Sequence, residues 1–372
     1  MGNHRFSYRW SLKDTIFTKD KGKVFSCFAG GGGSTMGYKL AGFDVIGCNE
    51  IDPRMNNVYV ANHHPKLNYL SPIQEFKLQM DLPRELYNLD ILDGSPPCSS
   101  FSTAGNRDND WGKEKKFREG QSSQVLDTLF FDFIDLAKLL RPKVVVAENV
   151  KGLLIGNAID YVRRIYEAFN NSGYKVCHNL CDASKMGVPQ RRERVFFTAI
   201  REDLFQYVPQ HQDLFESYPY LDLCFNEDEI KYGEFSDCDG REIKGKMYDW
   251  WLKRKQGDTC MGDAVQREEE RNVFFSQSYI YKDKVVPTLT GHEDSLIPFD
   301  KPRYTSRNEC CYISSFPLDY DFKNEKPHYI CGMSVPPIMM AQVASRIYTQ
   351  WLSKINENKS IVKKTPIQLT LF

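Results

Sequence analysis

The stretch KVFSCFAGGGGSTMGYKLAGFDVIGCNE, residues 23–50, decides the fold. Lys23 to Phe28 is an apolar run of strand length that empties into Ala29-Gly30-Gly31-Gly32-Gly33-Ser34. Thr35 to Leu40 has helical character, and Phe43 to Cys48 is a second apolar strand that ends at Asn49-Glu50. Strand, glycine turn, helix, strand and acid follow in the order of a nucleoside-binding βαβ unit. Glycine lets the backbone approach a ligand, and the terminal acid can accept hydrogen bonds from both ribose hydroxyls. A flexible glycine linker is the bland alternative, but linkers are rarely framed by two apolar strands.

Working outward, Phe130 to Leu140 carries apolar residues at helical spacing and leads into the β-branched run Val144 to Ala147, which exits at Glu148-Asn149-Val150. Such a run reads as a buried parallel strand. A helix from Tyr161 to Phe169, a strand from Tyr174 to Leu180 and a strand from Val195 to Ile200 continue the alternation, which predicts a doubly wound α/β sheet. After residue 201 the rhythm breaks. The region up to about residue 300 is rich in charge and aromatics, including Trp250-Trp251 and Lys253-Arg254-Lys255, and reads as a second, irregular domain. Helical pattern returns from Pro337 to Leu352, before a polar stretch and an apolar end. The predicted organisation is therefore 1–201, 202–302, a return at 303–355, and a flexible tail at 356–372.

Bulk properties exclude several classes. A chain of 372 residues with 41% hydrophobic content can bury a sizeable core. Lys+Arg and Asp+Glu are equal at 49 each, so any nucleic-acid contact must use a local patch. Eleven cysteines with no Cys-x-x-Cys pair argue for reduced thiols, with neither a disulfide framework nor a metal site. No signal-peptide pattern opens the chain and no apolar run approaches membrane-spanning length, so a cytoplasmic location is expected.

The run GSPPCSSFS, residues 94–102, follows the apolar Leu89 to Leu92 and Asp93, which puts Cys98 in the loop at a strand's exit, where open α/β sheets bind ligands. Pro96 and Pro97 stiffen the approach to the thiol. Cys98, Glu148 and the pair Arg192/Arg194 fall on one predicted sheet edge. A thiol, a carboxylate and a guanidinium there suit a covalent reaction with an acid and an anchor. Each alone has a plain reading as a buried cysteine, a solvated glutamate or surface arginines; their coincidence is harder to dismiss.

The ordered set Phe28-Ala29-Gly30-x-Gly32, Asn49-Glu50, Pro96-Pro97-Cys98, Glu148-Asn149-Val150, Gln190-Arg191-Arg192-Glu193-Arg194 and Gly332-Met333-Ser334-Val335-Pro336 resembles the cytosine-5 DNA methyltransferases that use S-adenosyl-L-methionine. The resemblance implies a Rossmann-like class I methyltransferase fold, a mixed and mostly parallel sheet with helices on both faces, plus a smaller irregular target-recognition domain. It implies that Cys98 adds to carbon 6 of a flipped-out cytosine in duplex DNA and that Glu148 is the acid at nitrogen 3. Arg192 would hold that carboxylate or the base O2, with Arg194 supporting the loop or a phosphate.

For the cofactor, with S-adenosyl-L-homocysteine as product, the resemblance nominates Phe28, Ala29, Gly30, Gly32, Gly33, Glu50, Ile51, Ile73, Pro96, Ser334 and Val335. For DNA it nominates Ser99, Ser102, Arg107, Gln190, Thr288 and Leu289, with the loop from Ala104 to Gln124 as a lid and a monomer as the working form. Three departures stand out: Ser26 occupies a position where many members carry Asp, Met333 replaces the usual Asn, and no Asp lies near Ser71-Pro72-Ile73 to meet the adenine amine.

Gln368-Leu369-Thr370-Leu371-Phe372 resembles the peptide with which bacterial proteins grip the replication sliding clamp, Gln368, Leu369, Leu371 and Phe372 being the anchors. A transfer-RNA cytosine methyltransferase on the same scaffold is the nearest rival. A Rossmann oxidoreductase would leave Pro-Pro-Cys and Gln-x-Arg-x-Arg without a purpose, and a zinc deaminase needs a Pro-Cys-x-x-Cys pair that is absent.

Overall fold

The computed structural model describes residues 4–97, 128–212, 217–237, 239–270 and 277–364, the last six as backbone, together with the backbone of the short paired segments Glu114–Lys115 and Gln124–Val125. The elements of the first half run β1 (Lys23–Cys27), α1 (Gly33–Leu40), β2 (Asp44–Glu50), α2 (Pro53–His63), β3 (Leu67–Leu70), α3 (Ile73–Phe76), β4 (Ile91–Gly94), β5 (Glu114–Lys115), β6 (Gln124–Val125), α4 (Leu129–Leu140), β7 (Val144–Val150), α5 (Ile159–Asn171), β8 (Tyr174–Asp182) and β9 (Glu193–Arg201). Seven strands form one sheet in the order β3-β2-β1-β4-β7-β9-β8. Pairings from β3 across to β7 are parallel, while β9 runs antiparallel to both β7 and β8. The sheet is thus mixed and mostly parallel, as the resemblance implies.

Side-chain alternation explains why both faces are covered. On β1 and β7, Phe25 and Val145 enter one core with Phe76, Leu92, Phe130, Phe133 and Phe197, while Val24, Val144 and Val146 enter the opposite one with Tyr38, Ile91, Phe196, Ile347 and Trp351. A strand apolar at every position needs helices on each side. α4 supplies one cover: Leu129, Phe130, Phe133, Ile134, Leu136, Ala137 and Leu140 are buried, spaced to form a stripe facing the sheet. The helix α2, unmarked in the sequence reading, starts where the Asp52 side chain accepts from the Arg54 amide and Pro53 occupies the first turn.

The remainder comprises β10 (Gln210–Gln212), β11 (Ser217–Pro219), α6 (Lys246–Leu252), α7 (Met261–Glu269), β12 (Ser278–Ile280), β13 (Leu296–Pro298), α8 (Arg307–Ile313), α9 (Pro327–Met333), α10 (Pro337–Ile347) and α11 (Ser353–Lys364). Around α6 and α7, Ile243, Trp251, Met261, Tyr279, Ile297 and Tyr304 build a small separate core. Its strands are three residues long, too short to leave a period in the sequence. α10 returns to the sheet and packs on α1 so closely that a Cβ on Gly37 would lie 2.4 Å from that of Met340.

The helix does not stop where the sequence reading begins a flexible tail at 356. A π turn at Tyr348–Leu352 passes straight into α11, and the backbone stays helical through Lys364. Trp351, Leu352 and Ile355 anchor it in the core, and the chain carries no glycine or proline until Pro366 to end it. Among the described residues no helix is long and apolar enough to cross a membrane.

A buried ion pair fastens the segment around Tyr232–Asp237 to α8. The Arg303 guanidinium donates to both carboxylate oxygens of Glu309, at 2.7 and 2.9 Å, and to the Asp237 carbonyl at 2.7 Å. Glu309 is wholly buried and also accepts from Tyr232 Oη at 2.5 Å. Removing one partner strands a charge without solvent, so Arg303→Met is expected to lower unfolding free energy in urea titrations by about 3–5 kcal/mol. Adding Glu309→Leu should recover most of that loss.

Candidate active site

A solvent-open cleft of about 1130 Å³ lies at the carboxyl edge of the sheet, over β1, β2 and β4. Its walls include Phe28, Ala29, Gly30, Gly33, Glu50, Ile51, Ile73, Ser334 and Val335, all nominated from sequence. Gly30 adopts φ 50°, and a Cβ there would have nothing within 4 Å, so its backbone faces the open cleft. Its amide donates to Glu50 Oε2 at 2.7 Å, and the amides of Ile51 and Asp52 both donate to Oε1 at 2.9 Å. Burial raises the Glu50 carboxyl from its ordinary range, opposed by those three amides. The acid is therefore fixed in orientation with lone pairs left for a diol. Phe28 takes a left-handed φ of 52°, rare for an aromatic residue, and turns the chain from β1 into the glycine loop.

Two nominated cofactor residues stand elsewhere. Gly32 backs onto α2, where a Cβ would meet His63 Nε2 at 2.2 Å, so its small size serves loop packing. Pro96 is buried, and its carbonyl accepts from Asn149 Nδ2 at 3.1 Å. Sequence reasoning misses Asp93, Ser34, Asn49 and Tyr329, which also line the cleft. Of these, Asp93 is in view at the end of a strand just before Pro-Pro-Cys, but its partners are hydroxyls on other elements.

Cys98, with Ser99, Ser102, Arg107 and the expected lid apart from the paired backbone at Glu114–Lys115 and Gln124, lies outside the described residues. What precedes it is well placed: Asn149 ties the Pro96 carbonyl to the end of β7, where its own Oδ1 accepts from the Val150 amide. The neighbouring Glu148 is 9% exposed. In the antiparallel β7–β9 register Glu148 sits opposite Phe196, so Arg194, two residues back along β9, is its diagonal neighbour on the same face. Arg194 Nε meets Glu148 Oε1 at 2.9 Å. Burial lowers the Arg194 guanidinium's pKa and the carboxylate restores part of it.

The structure thereby divides the two arginines differently from the expectation. Arg192 precedes β9 and turns away from Glu148: Nη1 donates to the Leu289 carbonyl at 3.1 Å, and Nη2 to the carbonyls of Gly332 and Ser334 at 3.0 and 3.1 Å. Gln190 completes the junction. It is fully buried, its Oε1 accepts from the Leu289 amide at 2.9 Å and its Nε2 donates to the Ile313 carbonyl at 3.1 Å. Leu289 is itself fully buried. The side chains of Gln190 and Leu289 are thus enclosed in this junction, whereas Thr288 is exposed, its hydroxyl bonded to the Arg191 carbonyl at 2.8 Å.

This topology and cleft define a class I methyltransferase. Residues 22–349 match the family described as C-5 cytosine-specific DNA methylase. The chain belongs to that family and is a DNA (cytosine-5)-methyltransferase, of a class dependent on S-adenosyl-L-methionine. It is 30% identical over 375 residues to the Type II methyltransferase M.FnuDI of Fusobacterium nucleatum, covering 92% of this chain and 99% of that one. M.DdeI of Desulfomicrobium norvegicum is 27% identical over 399 residues, covering 92% of each. Among solved structures, the Dnmt2 methyltransferase of S. pombe shares the fold at a TM-score of 0.54 and 17% identity, covering 90% of this chain and 99% of its own.

If Arg192 joins three segments, Arg192→Met should expose the loop around Leu289. Limited trypsin digestion of the native protein is expected to cut at Lys282 or Lys284 several times faster than in the parent. An unchanged digestion pattern would show that the loop is held by other contacts.

Proposed function

We propose that the chain methylates carbon 5 of a cytosine flipped out of duplex DNA, through a covalent bond between Cys98 and carbon 6. The observation that carries this reading is the Glu148–Arg194 pair at the end of β7, beside the Asn149 side chain that anchors the loop leading to Cys98. Carbon 5 is a weak nucleophile. Addition of a thiolate at carbon 6, with a proton delivered to nitrogen 3, converts the ring to an enamine that can attack a methyl group. Loss of the carbon 5 proton to a base then expels the thiolate and restores the aromatic ring. The base must leave the stack for this, because neither ring face is accessible in a duplex.

Glu148 is the group for nitrogen 3, and Arg194 keeps it aimed at the base edge. The bound donor supplies the electrophilic methyl sulfonium. Glu50 would take the ribose hydroxyls, Ile51 and Ile73 the adenine faces with Phe28, and Ser334 and Val335 the methionine carboxylate. The three amides that fix Glu50 and the open backbone at Gly30 suit such a ligand. Residues 202–302, with the exposed Thr288, would read the target sequence, and Ser99, Ser102 and Arg107 would follow the DNA. We place the chain in the cytoplasm as a monomer on its DNA, with residues 366–372 as a sliding-clamp ligand carried beyond α11.

Bisulfite sequencing of plasmid DNA from expressing cells tests the activity and reports the methylated motif together; transfer RNA from the same cells should show no added 5-methylcytosine. Cys98→Ala is expected to abolish methylation while retaining duplex binding, and duplexes carrying 5-fluorocytosine should form a mass-shifted adduct with the parent only. Arg194→Met should reduce kcat roughly 100-fold or more. Deleting residues 366–372 should abolish clamp binding in pull-down without altering the methylation rate on short duplexes.

A further inference from the structure

Asp93 is the last acid of β4, 2% exposed, and it lines the same cleft as Glu50 and Ser334. Three hydroxyls converge on it. Ser26 Oγ and Ser34 Oγ donate to Oδ2 at 2.8 and 2.9 Å, and Tyr38 Oη donates to Oδ1 at 3.2 Å. Among the described residues no lysine or arginine pairs with it, unlike Glu148 and Glu309, each of which has an arginine. Hydroxyls solvate a carboxylate only in part, so a buried one without a counter-ion is costly unless a ligand brings positive charge.

The titratable groups facing Asp93 are Cys27 on β1, Tyr38 on α1, Tyr59 on α2 and Glu148 on β7. Burial pushes the Cys27 thiol and both phenols up, which keeps them neutral at physiological pH. Burial also raises the Asp93 carboxyl to about 6, with Glu148 adding to the rise and the three hydroxyls opposing it. The acid is therefore ionised at neutral pH and poised to lose its charge on mild acidification.

We propose that Asp93 is the counter-charge for the cationic methionine end of the methyl donor, an inference that rests on the cleft being the donor site. A donor in this cleft carries an ammonium and a sulfonium, and Asp93 sits by Ser34 and Gly33 at the end of the cleft closed by Ser334 and Val335. The alternative is a purely structural hub that braces the glycine loop through Ser26 and Ser34. The two separate by ligand charge. A hub affects every adenosine ligand alike, whereas a counter-charge discriminates ligands that carry the ammonium from those that lack it.

Calorimetry with three ligands decides between them: S-adenosyl-L-methionine, S-adenosyl-L-homocysteine, which keeps the ammonium, and 5′-methylthioadenosine, which is neutral but retains the ribose. A cation favours ionised Asp93, so affinity should fall as pH drops through the carboxyl's titration. From pH 8 to pH 5 the two ammonium-bearing ligands should weaken about tenfold in the parent, as ionisation falls to about a tenth, and methylthioadenosine should not change. Titration of Glu50 would move all three, since each presents a ribose. Asp93→Asn should bind the two ammonium-bearing ligands about tenfold more weakly at pH 8, lose their pH dependence and bind methylthioadenosine as the parent does. Equal weakening of all three ligands, or an unaltered pH profile in Asp93→Asn, overturns the inference while leaving the donor site intact. Failure of the parent to bind any of the three overturns the donor site and the inference with it.

Discussion

One buried guanidinium holds the site-bearing parts of this molecule together. Arg192 is 3% exposed and directs its hydrogen bonds to main-chain carbonyls from two distant stretches, Leu289 and the pair Gly332 and Ser334. Taking a cation out of water is unfavourable by several kcal/mol, which here is offset by carbonyl dipoles rather than by a carboxylate. Burial pushes the Arg192 pKa well down, and the nearby Arg194 adds to that while Glu148 opposes it. A guanidinium suits the task because its planar fork reaches several acceptors at fixed angles, which an ammonium on a flexible stem cannot do. Since Ser334 lines the cleft and Leu289 follows the exposed Thr288, the same side chain connects one wall of the cleft to that surface loop.

The second arginine depends on strand direction. Had β9 run parallel to β7, like every other pair from β3 to β7, its first residues would lie at the opposite edge of the sheet, away from Glu148. Reversal of the last pair brings Arg194 opposite Val150 and hence diagonal to Glu148. The antiparallel edge hairpin of β8 and β9 thus puts a cation at a carboxyl edge otherwise built from strand ends. Glu148 gains a charge-assisted partner close at hand, and β9 continues without interruption into the Arg192 junction.

Legibility in the sequence follows the range of the interactions involved. The β1 to β2 unit is plain because its signals are local: an apolar run, a glycine turn and an acid lie within 28 residues. The strands β7, β8 and β9 are plain for the same reason, each carrying a continuous or alternating apolar run. The assignment of Arg192 and Arg194 is not. Alternation places both on one face, but β9 begins at Glu193, so Arg192 leaves the sheet before alternation applies. Gln190 is nominated for DNA by the family resemblance, and nothing local argues otherwise, because its partners, Leu289 and Ile313, are 99 and 123 residues away. The strands of the region after 201 are hidden by their length, and α11 by its polar composition.

Ser26 shows how a departure from a family pattern can be absorbed by its surroundings. Read alone, a hydroxyl where many relatives carry an acid removes a charge from the floor of the cleft. In the structure that hydroxyl donates to Asp93 on the adjacent parallel strand, in the register that sets Ser26 beside Asp93. The negative charge remains at the floor, carried by β4 rather than β1, with Ser34 and Tyr38 of α1 turned toward it. A site's electrostatics therefore depend on which charges converge in space, and a motif compared position by position misses a charge that has moved across a strand pair.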